Sequence, residues 1–316
     1  MPKLLRAVAL LCLTAFVLPA SAAHAAPVPR ERVDAVADAI AANYFDPARG
    51  KAIADELRRD AAGGAFDTLA PQALADALTA RLRPLDRHFR VRWNGDGAAM
   101  PAHVAGSRRP SPQANHGIVA AETLAGDIGH LRLGEFAHFE FEDADAPARE
   151  AIDAALASLS GTRAVIVDLR GCRGGSPNMV GYLASAFVAP GADIYNTFRT
   201  RGQALSEAPR VPYAAPRTKV PLYVVVDGGT GSAAESFAYT LQSAGRATVV
   251  GERSAGAANP GATIDVGDGF SVFVSDGSPV NPITRTNWER TGVVPNVAAT
   301  SLDALDAALR LARATR

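Results

Sequence analysis

The sequence is poor in cysteine and has no surplus of charge of either sign. Two cysteines occur in 316 residues, and Cys12 falls in an N-terminal leader. Cys172 is then alone, which excludes an intramolecular disulfide, so an exported chain of this length must be held by its core. Lys+Arg and Asp+Glu both number 32, so nothing electrostatic draws the protein to nucleic acid or to an anionic membrane. No run is apolar for the length a membrane span needs. His88, His103, His116, His130 and His138 lie scattered without metal-ligand spacing, and neither a metal nor a cofactor is expected. The chain has no repeat of fixed period and no low-complexity tract.

The start of the chain reads as an export signal. Lys3 and Arg6 precede the short apolar stretch Ala7 to Leu18, and Ala23-His24-Ala25 offers small residues where a signal peptidase reads. Cleavage after Ala25 is expected, leaving a protein in the periplasm or outside the cell. Hydrophobic residues at 48% against 20% charged describe a globular chain.

From Arg30 to Leu85 the pattern is helical. Val33, Val36, Ala37, Ile40 and Tyr44 share one face, Ile53 and Leu57 continue the period, and so do Leu74, Leu78 and Leu82. Arg87 to Trp93 alternates as a strand does. Asn94 to Gly117 is rich in Gly, Pro, Ser and Asn and reads as a linker. Beyond it strands and helices alternate. Ile128–Leu133, Ala164–Asp168, Leu222–Val226 and Thr248–Val250 predict strands, with helices over 147–159, 178–187, 232–244 and 302–313. Strands near 262–265 and 270–275 are expected to extend the same sheet.

Two segments carry chemistry. In the first, the strand ending at Val226 runs into Asp227-Gly228-Gly229-Thr230-Gly231-Ser232 and directly into a helix. A serine at such a junction meets unpaired N–H groups and the positive end of the helix dipole, which suit a nucleophile whose reaction develops an oxyanion. Taken alone, Ser232 with Glu235 reads first as a capping box. The second segment, Asp168-Leu169-Arg170-Gly171-Cys172-Arg173-Gly174-Gly175, has the same design, and its glycines let backbone approach a reacting group. Two such turns at the ends of two buried strands mark where α/β sheets gather ligands.

In order and spacing these segments resemble the core of the S41 peptidases, the tail-specific protease superfamily. Ala244 to Glu252 and Ile128 to Leu133 are similar to further stretches of that core. Arg30 to Trp93 resembles the N-terminal part of the branch related to the interphotoreceptor retinoid-binding protein. The resemblance implies an α/β fold with a ClpP/crotonase-like spiral ββα core and a small N-terminal helical subdomain. The expected division is a leader over 1–25, the helical subdomain over 26–95, a linker over 96–116 and the core over 117–316.

The same resemblance makes Ser232 the nucleophile, with an oxyanion hole from the N–H groups of Gly175 and Ala233. Serine needs a base. One branch of the family uses a lysine downstream, but no lysine follows Lys219 and the matching position is Ala257. The branch similar to the tricorn protease uses a histidine, which falls on His88, with Glu289 in the C-terminal motif before Gly292-Val293. Where that branch has serine just before the histidine this chain has Arg87, so either Glu289 or Asp86 can orient the ring. Cys172 stands where asparagine is usual, as a buried small thiol or as a reactive one with no activating base in view. No PDZ-like segment is present. The implied function is an exported serine-type peptidase acting on a peptide or protein substrate through an acyl-enzyme at Ser232. The alternative on the same fold is a non-catalytic binding module for an apolar ligand.

Overall fold

The computed structural model describes residues 29–95, 114–143 and 145–315. The expected leader, His103 and most of the expected linker lie outside the described residues. Among the described residues no helix is long and apolar enough to cross a membrane.

The chain opens with α1 (Pro29–Asn43), α2 (Pro47–Ala62) and α3 (Pro71–Leu82), followed by β1 (Arg90–Trp93). Each helix begins on a proline, whose fixed φ and missing N–H cost nothing in a first turn. The Asp46 side chain caps α2 by accepting from Arg49 N–H. Next come β2 (Ile118–Leu124), β3 (Ile128–Leu133), α4 (Pro147–Ser158), β4 (Ala164–Asp168), α5 (Pro177–Ser185), β5 (Thr197–Thr200) and β6 (Ala204–Ser206). The chain ends with β7 (Leu222–Val226), α6 (Ala233–Ser243), β8 (Thr248–Gly251), β9 (Gly261–Gly267), β10 (Phe270–Ser275), β11 (Gly277–Val280), β12 (Val297–Ala298) and α7 (Ala304–Ala314).

The main sheet has the order β12-β8-β7-β4-β3-β2, parallel throughout except for β2 on the edge. It is a mixed α/β architecture with both faces covered. Val165, Val167, Val224 and Val226 point into the larger core with α4, α5 and α6, while Ala164, Ile166, Tyr223 and Val225 point into a second cluster with α7. That period of two is why these strands read as unbroken apolar runs.

The strands near 262–265 and 270–275 do not extend this sheet. β9 and β10 pair with each other, and β10 pairs with β1, in a separate sheet of order β1-β10-β9. Phe270, Val272 and Val274 pack with Phe89, Val91 and the apolar faces of α1 to α3. An apolar strand face needs an apolar partner, and the amphipathic helices supply one that the main sheet, already covered, does not. The late chain therefore returns to the early helices. It carries with it the stretch that leads to Glu289.

Candidate active site

β4 and β7 are neighbours in the sheet, so the turns that leave their carboxyl ends lie side by side. Hydrogen bonds lock the two turns together. Asp227 Oδ1 accepts from Gly171 N–H at 3.0 Å and from Gly229 N–H at 2.9 Å, and Gly231 N–H donates to Cys172 carbonyl at 2.9 Å. Thr230 Oγ1 donates to Leu169 carbonyl. Glycine is required here by contact. A Cβ on Gly174 would lie 2.6 Å from Ala233 N and 2.8 Å from Ser232 Cβ, and one on Gly175 would lie 2.1 Å from Phe136 carbonyl oxygen. Gly174 is thus packed directly against the turn that bears Ser232, and Gly175 against the Phe136 backbone.

Ser232 sits at φ 55°, ψ −122°, a strained conformation for a residue with a Cβ. It is exposed while Gly231 and Ala233 on either side are buried. The turn pushes one hydroxyl-bearing residue out of an otherwise buried strand–helix junction, as a nucleophile elbow does.

Behind it, Glu235 is fully buried and accepts four hydrogen bonds. Oε2 takes Ser232 N–H and Ala257 N–H, both at 2.9 Å; Oε1 takes Ser254 Oγ at 2.5 Å and Gly256 N–H at 2.6 Å. The capping-box residue thus ties the serine backbone to residues 254–257. The same loop continues to Ala258 and Asn259, whose N–H groups donate to Glu289 Oε2 at 2.9 and 3.3 Å. Arg87 Nη1 donates to Ala255 carbonyl at 3.0 Å, and Ala255 N–H donates to Thr230 carbonyl at 3.0 Å. Ala255 therefore links the residue beside His88 to the turn before Ser232.

His88 is half-buried, with its Nδ1 3.0 Å from Asp86 Oδ1 and 3.6 Å from Glu289 Oε1. A carboxylate only accepts, so Nδ1 carries the proton and Nε2 keeps its lone pair. Asp86 is buried and also accepts from His88 N–H at 2.9 Å, Tyr44 Oη at 3.1 Å and Ser275 Oγ at 3.0 Å. Burial pushes the Asp86 carboxyl up, but the donors from His88 and Ser275 outweigh it and bring it to about 2. Burial pulls the His88 ring down, yet the Asp86 hydrogen bond and the charges of Glu289 and Asp86 leave it above its ordinary value. Burial raises Glu289, partly offset by the His88 charge. No hydrogen bond joins His88 to Ser232.

The residues 127–299, more than half of the chain, match the sequence pattern of peptidase family S41. The chain belongs to peptidase family S41. A carboxy-terminal-processing protease from Bartonella bacilliformis is 26% identical over 176 residues, which cover 55% of this chain and 39% of the relative. This S41 chain thus spans well under half the length of that relative. Among solved structures, a candidate peptidase from Parabacteroides merdae superposes with a TM-score of 0.64 at 18% identity, covering 92% of this chain and 98% of the other. The photosystem II D1 C-terminal processing protease gives 0.56 at 17% identity, covering 90% and 98%. Tricorn protease gives 0.55 at 13% identity, covering 90% of this chain and 37% of tricorn. These likenesses are of fold.

His88 and Asp86, which precede the matched residues, meet Glu289 in space although the histidine and Glu289 come from distant parts of the chain. Glu289 is set by its neighbours: Trp288 is buried, and Asn287 Oδ1 accepts Glu289 N–H at 2.8 Å. Cys172 is fully buried, and burial pushes its thiol up to about 11, so it is a packing residue rather than a reactive one. Sequence reading missed the loop at 254–259 and the part Arg87 plays in holding it. The one local signal was its run of small residues, Ser254-Ala255-Gly256-Ala257-Ala258, which admits close backbone contact. It also left Tyr44 and Ser275 unassigned, since each looked like an ordinary buried residue.

Proposed function

We propose that the protein is an exported serine-type peptidase that cleaves peptide or protein substrates through an acyl-enzyme at Ser232. The observation that carries the reading is the exposed, strained Ser232 packed against the Gly174–Gly175 turn at the start of α6. Ser232 Oγ attacks the scissile carbonyl, and the oxygen that becomes negative is met by the N–H groups of Gly175 and Ala233. His88 takes the serine proton on Nε2 and returns it to the leaving amine. Asp86 holds the ring by Nδ1. Glu289 adds negative charge beside the imidazolium and, through Ala258 and Asn259, pins the loop that joins base and nucleophile. The leader-like start of the chain supports a periplasmic or extracellular site of action. The apolar-ligand carrier gains nothing from this site, whose groups are glycine backbone, carboxylates, a hydroxyl and an imidazole.

A fluorophosphonate probe tests the reading alongside turnover of an unfolded protein substrate. Wild type should label and cleave, Ser232→Ala should do neither, and His88→Ala should lose most of both rates. Equal labelling of wild type and Ser232→Ala would sink it.

A further inference from the structure

We propose that a zinc-class divalent cation binds between His88 Nδ1, Asp86 Oδ1 and Glu289 Oε1 and holds the site shut. Its consequence for catalysis rests on the reading of His88 as the base; the binding itself does not.

One ligand atom from each of these residues lies within 4.8 Å of the other two. The Nδ1 to Oδ1 distance is 3.0 Å and the Nδ1 to Oε1 distance is 3.6 Å. Tetrahedral zinc with bonds of about 2.0–2.1 Å places its ligands about 3.3 Å apart, between these two values. The two pairs that share Nδ1 therefore reach that spacing with shifts of a few tenths of an ångström, and the two carboxylate oxygens start within 4.8 Å of each other.

A second observation points the same way. Glu289 Oε1 is buried and has no hydrogen-bond partner, while Oε2 of the same carboxylate holds two N–H groups. A bare carboxylate oxygen away from water is costly unless something positive meets it. The ligands are also fixed from behind. Asp86 keeps His88 N–H, Tyr44 Oη and Ser275 Oγ as donors when Nδ1 no longer donates, and Glu289 keeps Ala258 and Asn259. Such outer hydrogen bonds orient metal ligands. One imidazole and two carboxylates suit zinc and its neighbours, whereas magnesium and calcium favour all-oxygen shells.

Binding at Nδ1 uses that nitrogen's lone pair, so the single proton of the neutral ring moves, by exchange with solvent, from Nδ1 to Nε2 and none is lost overall. The nitrogen that should accept the serine proton has no lone pair, and the nucleophile stays unactivated. Removing the ion restores the working tautomer.

Titration calorimetry of ZnCl2 into the Ser232→Ala protein measures binding without turnover. The expected result is one ion per chain, binding at least tenfold weaker in the added Glu289→Gln variant and lost with His88→Ala. His138→Ala, which removes an exposed imidazole 2.9 Å from Glu140, should leave it unchanged. On the wild type, ZnCl2 should slow fluorophosphonate labelling, EDTA should restore it, and MgCl2 should do nothing. No zinc uptake, uptake undiminished by both His88→Ala and Glu289→Gln, or uptake lost with His138→Ala overturns the proposal. Should His88→Ala misfold, a zinc-edge anomalous map of Ser232→Ala crystals decides, a peak between the three atoms supporting the site and its absence there rejecting it. Zinc bound there in a protein whose wild type never labels leaves the cation site standing and removes the peptidase reading instead.

Discussion

Asp86 Oδ1 lies 3.0 Å from His88 Nδ1, closer than the Glu289 oxygen that faces the same nitrogen at 3.6 Å. The short contact comes from a residue two places before the histidine, and the long one from the far end of the chain. Asp86 also has the firmer anchorage, with Tyr44 and Ser275 on its second oxygen.

The two carboxylates should therefore differ on mutation. Asp86→Asn puts an amide where only an acceptor serves, and should cut fluorophosphonate labelling on the order of 100-fold or more, because the ring loses its working tautomer. Glu289→Gln should cost less, since Asp86 still holds the ring. Labelling rates of the two variants, with circular dichroism to verify folding, give the comparison. A larger loss in Glu289→Gln would reverse the assignment.

Glu235 should be a positioning residue whose removal affects stability and activity together. Glu235→Ala leaves Ser232 N–H, Ser254 Oγ, Gly256 N–H and Ala257 N–H without their acceptor. Unmet buried donors cost about 1–3 kcal/mol each, so a destabilisation of at least ~3 kcal/mol is expected in urea denaturation. Labelling at Ser232 should fall with it, even at temperatures where the variant stays folded. A variant with wild-type stability and wild-type labelling would show that the loop at 254–259 needs no such tie.

Glu207 should make stability depend on pH. It is buried beneath α6, where Ser236 Oγ donates to it at 2.7 Å and Asn196 Nδ2 at 2.9 Å, with no cation among the groups acting on it. Burial, only partly offset by these donors, raises its carboxyl from 4.5 to about 7. The folded state thus holds a proton that the unfolded chain releases earlier. Stability from this group is full below the unfolded value and is lost as pH rises through the folded one. Relative to Glu207→Gln, wild type should lose up to a few kcal/mol between pH 5 and 8. A constant difference in denaturation midpoint over that range would refute the shift.

The strands Ala164–Asp168 and Leu222–Val226 were legible because strands covered on both faces are written as apolar runs, and the helices because their apolar residues recur at helical spacing. The glycine turns were legible by composition, but the collisions that require glycine at Gly174 and Gly175 are with Ala233 and Phe136, far along the chain. Less visible was the sheet to which β9 and β10 belong. Alternation declares a strand and its apolar face but not the surface that will cover that face. The paired alternatives for His88 could not be ranked from sequence either, since the choice turns on less than an ångström.

Sequence alone determined the strand-turn-helix units that carry Ser232 and the Gly174–Gly175 turn, because these depend on sterics and apolar periodicity within a few residues. Tertiary structure decided everything that makes the serine's surroundings a site. Arg87 meets Ala255 across 168 residues and Arg290 meets Pro84 across 206, and such contacts form only when two packed surfaces set their distance. No local pattern encodes that distance, because it is the sum of the packing between the early helices, the returning strands and the core.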